Sequence, residues 1–437
     1  MGVDAMTKEQ TNSGTWKGEW MLPRREVLKY LAGGLAGGAL GARWTGATAQ
    51  ETVGSSFGEE AYWEQVKNQF PIRPGLIVMN AANLCPTHYA VLEHVFELTR
   101  DLDSDVSFQN RGKFADTKSK SRALLAEYVG AEPNEIAITR NTSESNNIII
   151  NGLELGPGDE VVIWDENHPT NNIAWDVRAQ RYGFTVKKVP TPDKGSTPED
   201  LRRHFVDALT PRTRVFAVSH VSNLSGIGLP MKALCLECRD RDIITLVDGA
   251  QTLGALSLDL HDMACDFFTG SLHKWPMGPK ETGLLYVRRG MAETVWPSIV
   301  AFGYENAEAL GAEKFESLGQ RDDPTIAAIV PTVDFHNVIG KERVEARLRV
   351  IFERLRAGVA EIPGASILTP LDPAASAAIL VFSLPEISGQ AAFEVLYREY
   401  GVAVARAAII DGLRLSPHVY NTLADVDAVL EALRELA

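Results

Sequence analysis

From Leu76 onward the chain alternates short apolar runs with stretches of helical spacing, a pattern that few folds accommodate. The runs are Leu76 to Met79, Ile136 to Thr139, Glu160 to Trp164, Thr185 to Val189, Arg214 to Ser219, Ile243 to Val247, Phe267 to Thr269 and Gly283 to Val287. Between most of them lie Lys118 to Val129, Ser145 to Leu153, Asn172 to Tyr182 and Lys232 to Arg241, whose apolar residues recur at helical spacing. Parallel strands need a crossover between them and a helix provides it, so the expected class is α/β, with a mostly parallel sheet covered by helices. Ligands in such sheets bind beyond the carboxyl ends of the strands. Near Pro331 the pattern changes. One long helix is expected over Val333 to Ile362, followed by a shorter α+β stretch ending at Ala437. The expected organisation is a large domain over residues 76–330, a small C-terminal domain over residues 331–437, and residues 50–75 packed on the small domain.

The 437 residues are 45% hydrophobic, enough for a large core, and the formal net charge of −14 argues against a nucleic-acid partner. Phosphate backbones call for clustered Lys and Arg, which the chain lacks. Its four cysteines, Cys85, Cys235, Cys238 and Cys265, are too sparse for a disulfide framework. Cys235 and Cys238 form a CxxC without the second ligand pair of a zinc site, so no metal is expected; they fall in an amphipathic stretch, Met231 to Asp242, as buried structural cysteines.

The first fifty residues read as an address. Arg24 and Arg25 precede a glycine-rich apolar run from Tyr30 to Leu40, too short to span a bilayer, and Ala47-Thr48-Ala49 follows as a cleavage pattern. The order resembles a twin-arginine (Tat) export signal over residues 1–49. The expected location is periplasmic, or cytoplasmic where the signal is unused, with no stable membrane insertion of the mature chain.

Five post-strand loops carry the polar residues. Thr142 and Ser143 follow the Ile136 run and open a helix, where hydroxyls and free N–H groups suit either a phosphate or a plain N-cap. His168, after the Glu160 run, can stack on an aromatic ring or cap a helix. Asn223, after the Arg214 run, sits near a ligand or forms a turn. Asp248 follows four apolar residues, and a carboxylate there needs a cationic partner, for which a pyridinium nitrogen serves. Lys274, between Leu272-His273 and Trp275 at the end of a buried strand, is poorly placed as a solvated charge; desolvation lowers its pKa and makes it a nucleophile toward an aldehyde. Lys280, beside Gly278-Pro279 and Glu281, is solvated.

Asp248-Gly249-Ala250-Gln251, followed by Ser271-Leu272-His273-Lys274, resembles the class V aminotransferases, a family of enzymes dependent on pyridoxal 5′-phosphate (PLP), over about Leu76 to Thr422. The resemblance implies PLP-dependent transferase fold type I, with a seven-stranded sheet and a smaller α+β domain. It implies that Lys274 carries PLP as a Schiff base, that Asp248 pairs with the pyridine nitrogen, that Gln251 bonds the phenolic oxygen and that His168 stacks on the ring. Thr142, Ser143, Ser271 and His273 would hold the phosphate, while Asn223 and Arg414 would grip the carboxylate of an amino-acid substrate. A homodimer with active sites at the interface is implied, with a phosphate contact from the partner subunit. The family's Gly-Thr for that contact is replaced by Gly319-Gln320-Arg321, leaving Gln320 and Arg321 as stand-ins.

The chemistry implied is that of an enzyme acting at Cα, a transaminase or isopenicillin N epimerase-like protein, the latter branch being suggested by Arg321-Asp322-Asp323-Pro324. Carbon–sulfur or other β-lysis is the alternative. The resemblance implies that a desulfurase of this family carries a nucleophilic Cys shortly before the carboxylate-binding Arg; Gly401 to Leu413 contains none, so a cysteine-dependent desulfurase is largely excluded as an expectation. A non-catalytic PLP-fold binding protein is disfavoured because Lys274 is present and no helix-turn-helix segment precedes the fold.

Overall fold

The computed structural model describes residues 56–437 apart from residues 194, 302–303, 305–309 and 371. The expected export signal over residues 1–49 lies outside the described residues.

The strands in chain order are β1 (Ile77–Val78), β2 (Ile136–Thr139), β3 (Glu160–Trp164), β4 (Thr185–Val189), β5 (Thr213–Ser219), β6 (Ile244–Asp248), β7 (Phe267–Ser271) and β8 (Gly283–Val287). Seven of them form one sheet in the order β2-β8-β7-β6-β5-β3-β4, with β8 antiparallel to both of its neighbours and the remaining pairs parallel. Val161-Val162-Ile163-Trp164 and Leu284-Leu285-Tyr286-Val287 are apolar without alternation because both faces of the sheet are covered. Val162, Trp164, Phe216 and Phe268 pack into one core, while Val161, Ile163, Ala217 and Phe267 pack into another, as the two-residue period of a strand requires. β4 at the edge breaks the pattern with Lys187 and Lys188, charges that discourage edge-to-edge pairing.

The helices up to Arg239 include, in chain order, α1 (Ser56–Lys67), α2 (Tyr89–Ser104), α3 (Lys113–Val129), α4 (Thr142–Gly152), α5 (Pro169–Tyr182), α6 (Pro198–Val206) and α7 (Met231–Arg239). Within α7, Cys235 and Cys238 are buried and free, and both join the core that also contains Cys265.

Two expectations are corrected. The Leu76 to Met79 run does not join the large sheet: β1 pairs in parallel with β11 (Val402–Ala403), far along the chain. The expected single helix over Val333 to Ile362 is two helices, α8 (Ile329–Ile339) and α9 (Lys341–Ala360). Gly340 separates them at φ 92° and ψ 127°, a left-handed-side conformation that glycine adopts without a Cβ clash and that no helix continues through.

Beyond α9 come β9 (Ser366–Ile367), β10 (Leu380–Ser383), α10 (Gly389–Tyr400), β11, β12 (Ala405–Arg406), β13 (Leu413–Leu415) and α11 (Leu423–Leu436). Four of these strands make an antiparallel sheet in the order β12-β13-β10-β9. A third core contains Met79 beside Phe352, Leu415 and Val429. Helix α1 reaches this region through Glu60, which pairs with Arg347 at 2.8 and 2.9 Å, and through Lys67, which pairs with Asp425 at 2.7 Å.

Candidate active site

The carboxyl ends of β2, β3, β5, β6 and β7 open on a cleft of about 250 Å³, lined among others by Thr142, Ser143, His168, Asn171, Asn223, Asp248, Gln251, Ser271, His273 and Lys274. Five loops that are far apart in sequence meet there because parallel strands end on one side of the sheet.

Asp248 is the last residue of β6 and is 3% exposed. Its Oδ2 accepts from Asn146 Nδ2 at 3.0 Å, and its Oδ1 accepts from the Ala250 amide at 3.0 Å. Asn146 is itself fixed by Thr269 Oγ1 at 2.8 Å. Among the described residues Asp248 has no ion-pair partner, so a carboxylate at the floor of the cleft holds only neutral donors, the arrangement that a cationic ring nitrogen would complete. The next residue has to be small: a Cβ on Gly249 would stand 1.9 Å from the Phe268 ring. Gly249→Ala is therefore expected to destabilise the fold by about 1–3 kcal/mol, read as a lower urea midpoint at unchanged slope.

Lys274 is half-buried, and its pKa is lowered, first by burial and then by Arg414, against the opposing attraction of Asp248. A larger neutral fraction near pH 7 is what an amine nucleophile needs. Lys280 is exposed, as expected.

At the mouth of β2 the helix is capped by neither of the two expected hydroxyls. The N-cap of α4 is Asn141, whose side chain accepts from the Glu144 amide at 3.0 Å, so the hydroxyls of Thr142 and Ser143 do not cap the helix. Thr142 Oγ1 lies 2.8 Å from Ser271 Oγ, and the two form a hydroxyl cluster at the positive end of the helix. His273, in the same cleft, is pushed by burial down to about 4, so it is neutral at pH 7 and can donate one N–H.

His168 caps a helix from the wall of the cleft. Its Nδ1 accepts from the Thr170 amide at 3.3 Å, capping α5, while its ring lines the cleft. Burial, and then Lys274, lower its pKa. Gln251 is held from two sides, donating to the Ala82 carbonyl at 3.0 Å and accepting from the Trp275 indole at 2.9 Å, which leaves one amide N–H for a ligand.

Asn223 lines the cleft and accepts on its carbonyl from Arg414 Nη1 at 3.0 Å. Arg414 stands behind this wall. Its other Nη donates to Asn80 Oδ1 at 3.1 Å, its Nε is buried without a partner, and burial lowers its pKa to about 10, leaving it charged at pH 7. Gln320 and Arg321 lie apart, in a separate hollow of about 490 Å³. Arg321 donates to the Ile138 carbonyl at 2.5 Å, and Gln320 accepts from Arg111 at 2.6 Å. A neighbouring hollow shares Asn141 and Ser143 with the cleft.

Sequence reasoning missed Asn80, Ala82, Asn146 and Asn171. Asn80 follows an apolar run, so the rule of inspecting post-strand loops reaches it once the Leu76 run is treated like the others. Asn146 lies four residues after Thr142 on the same helix face. Asn171 is 2% exposed, lines the cleft, and has neither amide atom hydrogen-bonded.

An unpaired buried carboxylate, an unpartnered buried amide, hydroxyls at a helix N-terminus and a desolvated lysine fit PLP, with Asp248 toward the ring nitrogen and Thr142, Ser143, Ser271 and His273 toward the phosphate. Fold and site together define a PLP-dependent enzyme of fold type I. The sequence pattern described as Aminotransferase class-V matches residues 85–429, and the chain belongs to that family. Isopenicillin N epimerase of Streptomyces clavuligerus is 29% identical over 394 residues, covering 86% of this chain and 98% of that protein. A probable cysteine desulfurase of Methanothermobacter thermautotrophicus is 26% identical over 400 residues, with 86% and 98% covered. Among solved structures, the cystine C–S lyase C-DES with its reaction product cysteine persulfide superimposes with a TM-score of 0.77 at 24% identity, covering 84% of this chain and 99% of that one.

Proposed function

We propose that the chain acts at Cα of an amino-acid substrate, as a transaminase or an isopenicillin N epimerase-like enzyme. The observation that carries this reading is one cleft holding Lys274, with its lowered pKa, above a buried Asp248 that lacks an ion pair, with Arg414 behind the wall. When bound, PLP supplies an electron sink that acidifies the Cα–H of an attached amino acid. Asp248 would hold a proton on the ring nitrogen, and the hydroxyls of Thr142, Ser143 and Ser271 with the His273 N–H would anchor the phosphate. His168 would cover the ring face, and Gln251 would use its remaining N–H on the phenolic oxygen. Lys274 would take the Cα proton and return it, to the same carbon or elsewhere, as the reaction demands. Asn223 and Arg414 would orient the α-carboxylate.

The β12–β13 hairpin argues against persulfide chemistry for this chain. Its turn, Ala407 to Gly412, contains no Cys, and the four cysteines are buried. Cys85 is pushed up to about 12 by burial, far from a thiolate at neutral pH. The family's dimer would place Gln320 or Arg321 at the partner's phosphate only after each gives up its present bonds. Secretion through the signal over residues 1–49 would deliver a folded, cofactor-loaded enzyme, and fractionation of cells with and without Arg24 and Arg25 tests it.

Incubation with a panel of amino acids in D2O tests the reaction. Cα exchange with release of a keto acid assigns transamination, and exchange with inversion assigns epimerisation. Release of sulfide or pyruvate assigns β-lysis, and a cofactor spectrum unmoved by every amino acid overturns the substrate class. Arg414→Ala is expected to weaken amino-acid binding by about 2 kcal/mol, roughly 30-fold in KM, with little effect on binding of the corresponding amines that lack the carboxylate.

A further inference from the structure

The seven residues that follow β7, Leu272 to Gly278, carry Lys274 and turn sharply. Met277, a residue with a Cβ, adopts left-handed backbone at φ 57°, and its amide donates to the Lys274 carbonyl at 2.9 Å. The Leu272 carbonyl accepts from Gly278 at 2.7 Å, the His273 carbonyl from Cys85 at 3.0 Å, and the Gly278 carbonyl from Thr87 Oγ1 at 3.0 Å. The carbonyls of Trp275 and Pro276 are met instead by two histidines brought from distant parts of the chain. His418 Nε2 lies 2.8 Å from the Trp275 carbonyl, and His336 Nε2 lies 3.0 Å from the Pro276 carbonyl.

A carbonyl only accepts, so each Nε2 must carry the proton. The other ring nitrogens agree. His418 Nδ1 accepts from the Val419 amide at 2.7 Å, and His336 Nδ1 lies 3.1 Å from the Tyr128 hydroxyl, which can donate to it. Both rings are buried, at 0% and 1% exposure, and each is fixed in one tautomer. His418 also stacks on Tyr420 with centroids 5.3 Å apart and lies against Trp275 at 5.4 Å. It follows Arg414 by four residues in the same segment, so the segment that bears the carboxylate-binding arginine also grips the turn that bears the lysine.

We propose that His336 and His418 are positioning residues that clamp the Trp275 and Pro276 carbonyls and thereby hold Lys274 in place both when its amine carries the cofactor and when it is free. The proposal rests on the reading of Lys274 as the cofactor-bearing residue. A lysine released from the cofactor has four rotatable side-chain bonds, and a fixed main chain limits how far its amine strays from the proton it must move.

The test compares His336→Leu and His418→Leu with His336→Gln and His418→Gln, since a glutamine amide can place an N–H near the position of Nε2. In cofactor-free protein, amide exchange at Met277 and Gly278 is expected to be about tenfold faster in the Leu variants and close to wild type in the Gln variants. After loading with PLP, the Leu variants should shift the pH midpoint of the visible cofactor band by about half a unit or more. Their kcat should fall about tenfold at unchanged KM, with most of the loss restored by Gln. Unchanged exchange in the Leu variants overturns the clamp whether or not PLP binds, and faster exchange with an unmoved band and unchanged kcat overturns the positioning role. If the Leu variants fail to fold, Tyr128→Phe decides. It frees His336 Nδ1, and unchanged exchange and an unmoved band in that variant overturn the proposal. A wild type left colourless by PLP sinks the cofactor reading alone, because the exchange arm still decides the clamp.

Discussion

Lys274→Ala is expected to give a colourless protein beside a yellow wild type, to lose borohydride-fixable cofactor, and to lower turnover of any amino acid by about 10³-fold or more. The magnitude follows from two roles held by one amine. The variant loses the nucleophile proposed to attach the cofactor, and it loses the only lysine that lines the cleft among the described residues, the base that the proposed chemistry needs at Cα. Lys274→Arg separates these roles from charge, because a guanidinium stays protonated and is a poor nucleophile, so it should be as inactive as the alanine variant. A yellow Lys274→Ala protein with wild-type turnover would move both roles to another residue; Lys280, exposed on the far side of the Gly278-Pro279 turn, would be the next to replace. Asp248→Asn should keep the colour and lose rate, since an amide can accept only one of the two hydrogen bonds that the carboxylate accepts and gives up the charge that holds a proton on the ring nitrogen.

The inner strands of the large sheet were legible because they are buried on both faces and therefore written as largely apolar runs bounded by polar loops, while β4 at the edge is not. The rule that ligands gather beyond the carboxyl ends of such strands then reached Thr142, Ser143, His168, Asn223, Asp248 and Lys274, all of which line one cleft. What stayed hidden depends on pairings between distant segments. The Leu76 run looks like any other strand, yet its partner is Val402–Ala403, which no local pattern announces. Gly340 sits inside a continuous helical period, and only its backbone angles show that two helices meet there. Arg414 was found by resemblance, but its place behind the wall depends on Asn80 and the Asn223 carbonyl, residues more than 190 positions away. His336 and His418 were passed over for the same reason: their partners are main-chain carbonyls, which leave no mark in a sequence.

Acid should unfold this protein steeply below pH 6.5, and buried histidines set the window. Burial pushes His88 down to about 3, His336 to about 4 and His418 to about 3, and His88 and His418 are each held lower by His336. In the unfolded chain each would titrate near 6.5. Above 6.5 both states hold the rings neutral and pH has no leverage. Between 6.5 and about 4 the unfolded chain binds protons that the native state refuses, so stability falls as pH falls, by about 1.4 kcal/mol per histidine per pH unit. These three alone remove roughly 5 kcal/mol between pH 6.5 and 5, comparable to the whole stability of many domains, and His220 and His273, each pushed by burial to about 4, add to the loss. Urea midpoints measured from pH 8 to 5 should be flat at the upper end and drop sharply below 6.5. His88→Phe should reduce the drop by one histidine's share; it keeps the stacking on Phe335 at 4.3 Å and leaves no Nε2 without a partner, but gives up the bond to the Pro331 backbone, so neutral stability should fall by about 1 kcal/mol. Midpoints that stay level down to pH 5 would mean that these imidazoles reach water and protonate in the native state. Because His336 and His418 also grip the turn bearing Lys274, loss of the cofactor band with acid should coincide with this transition.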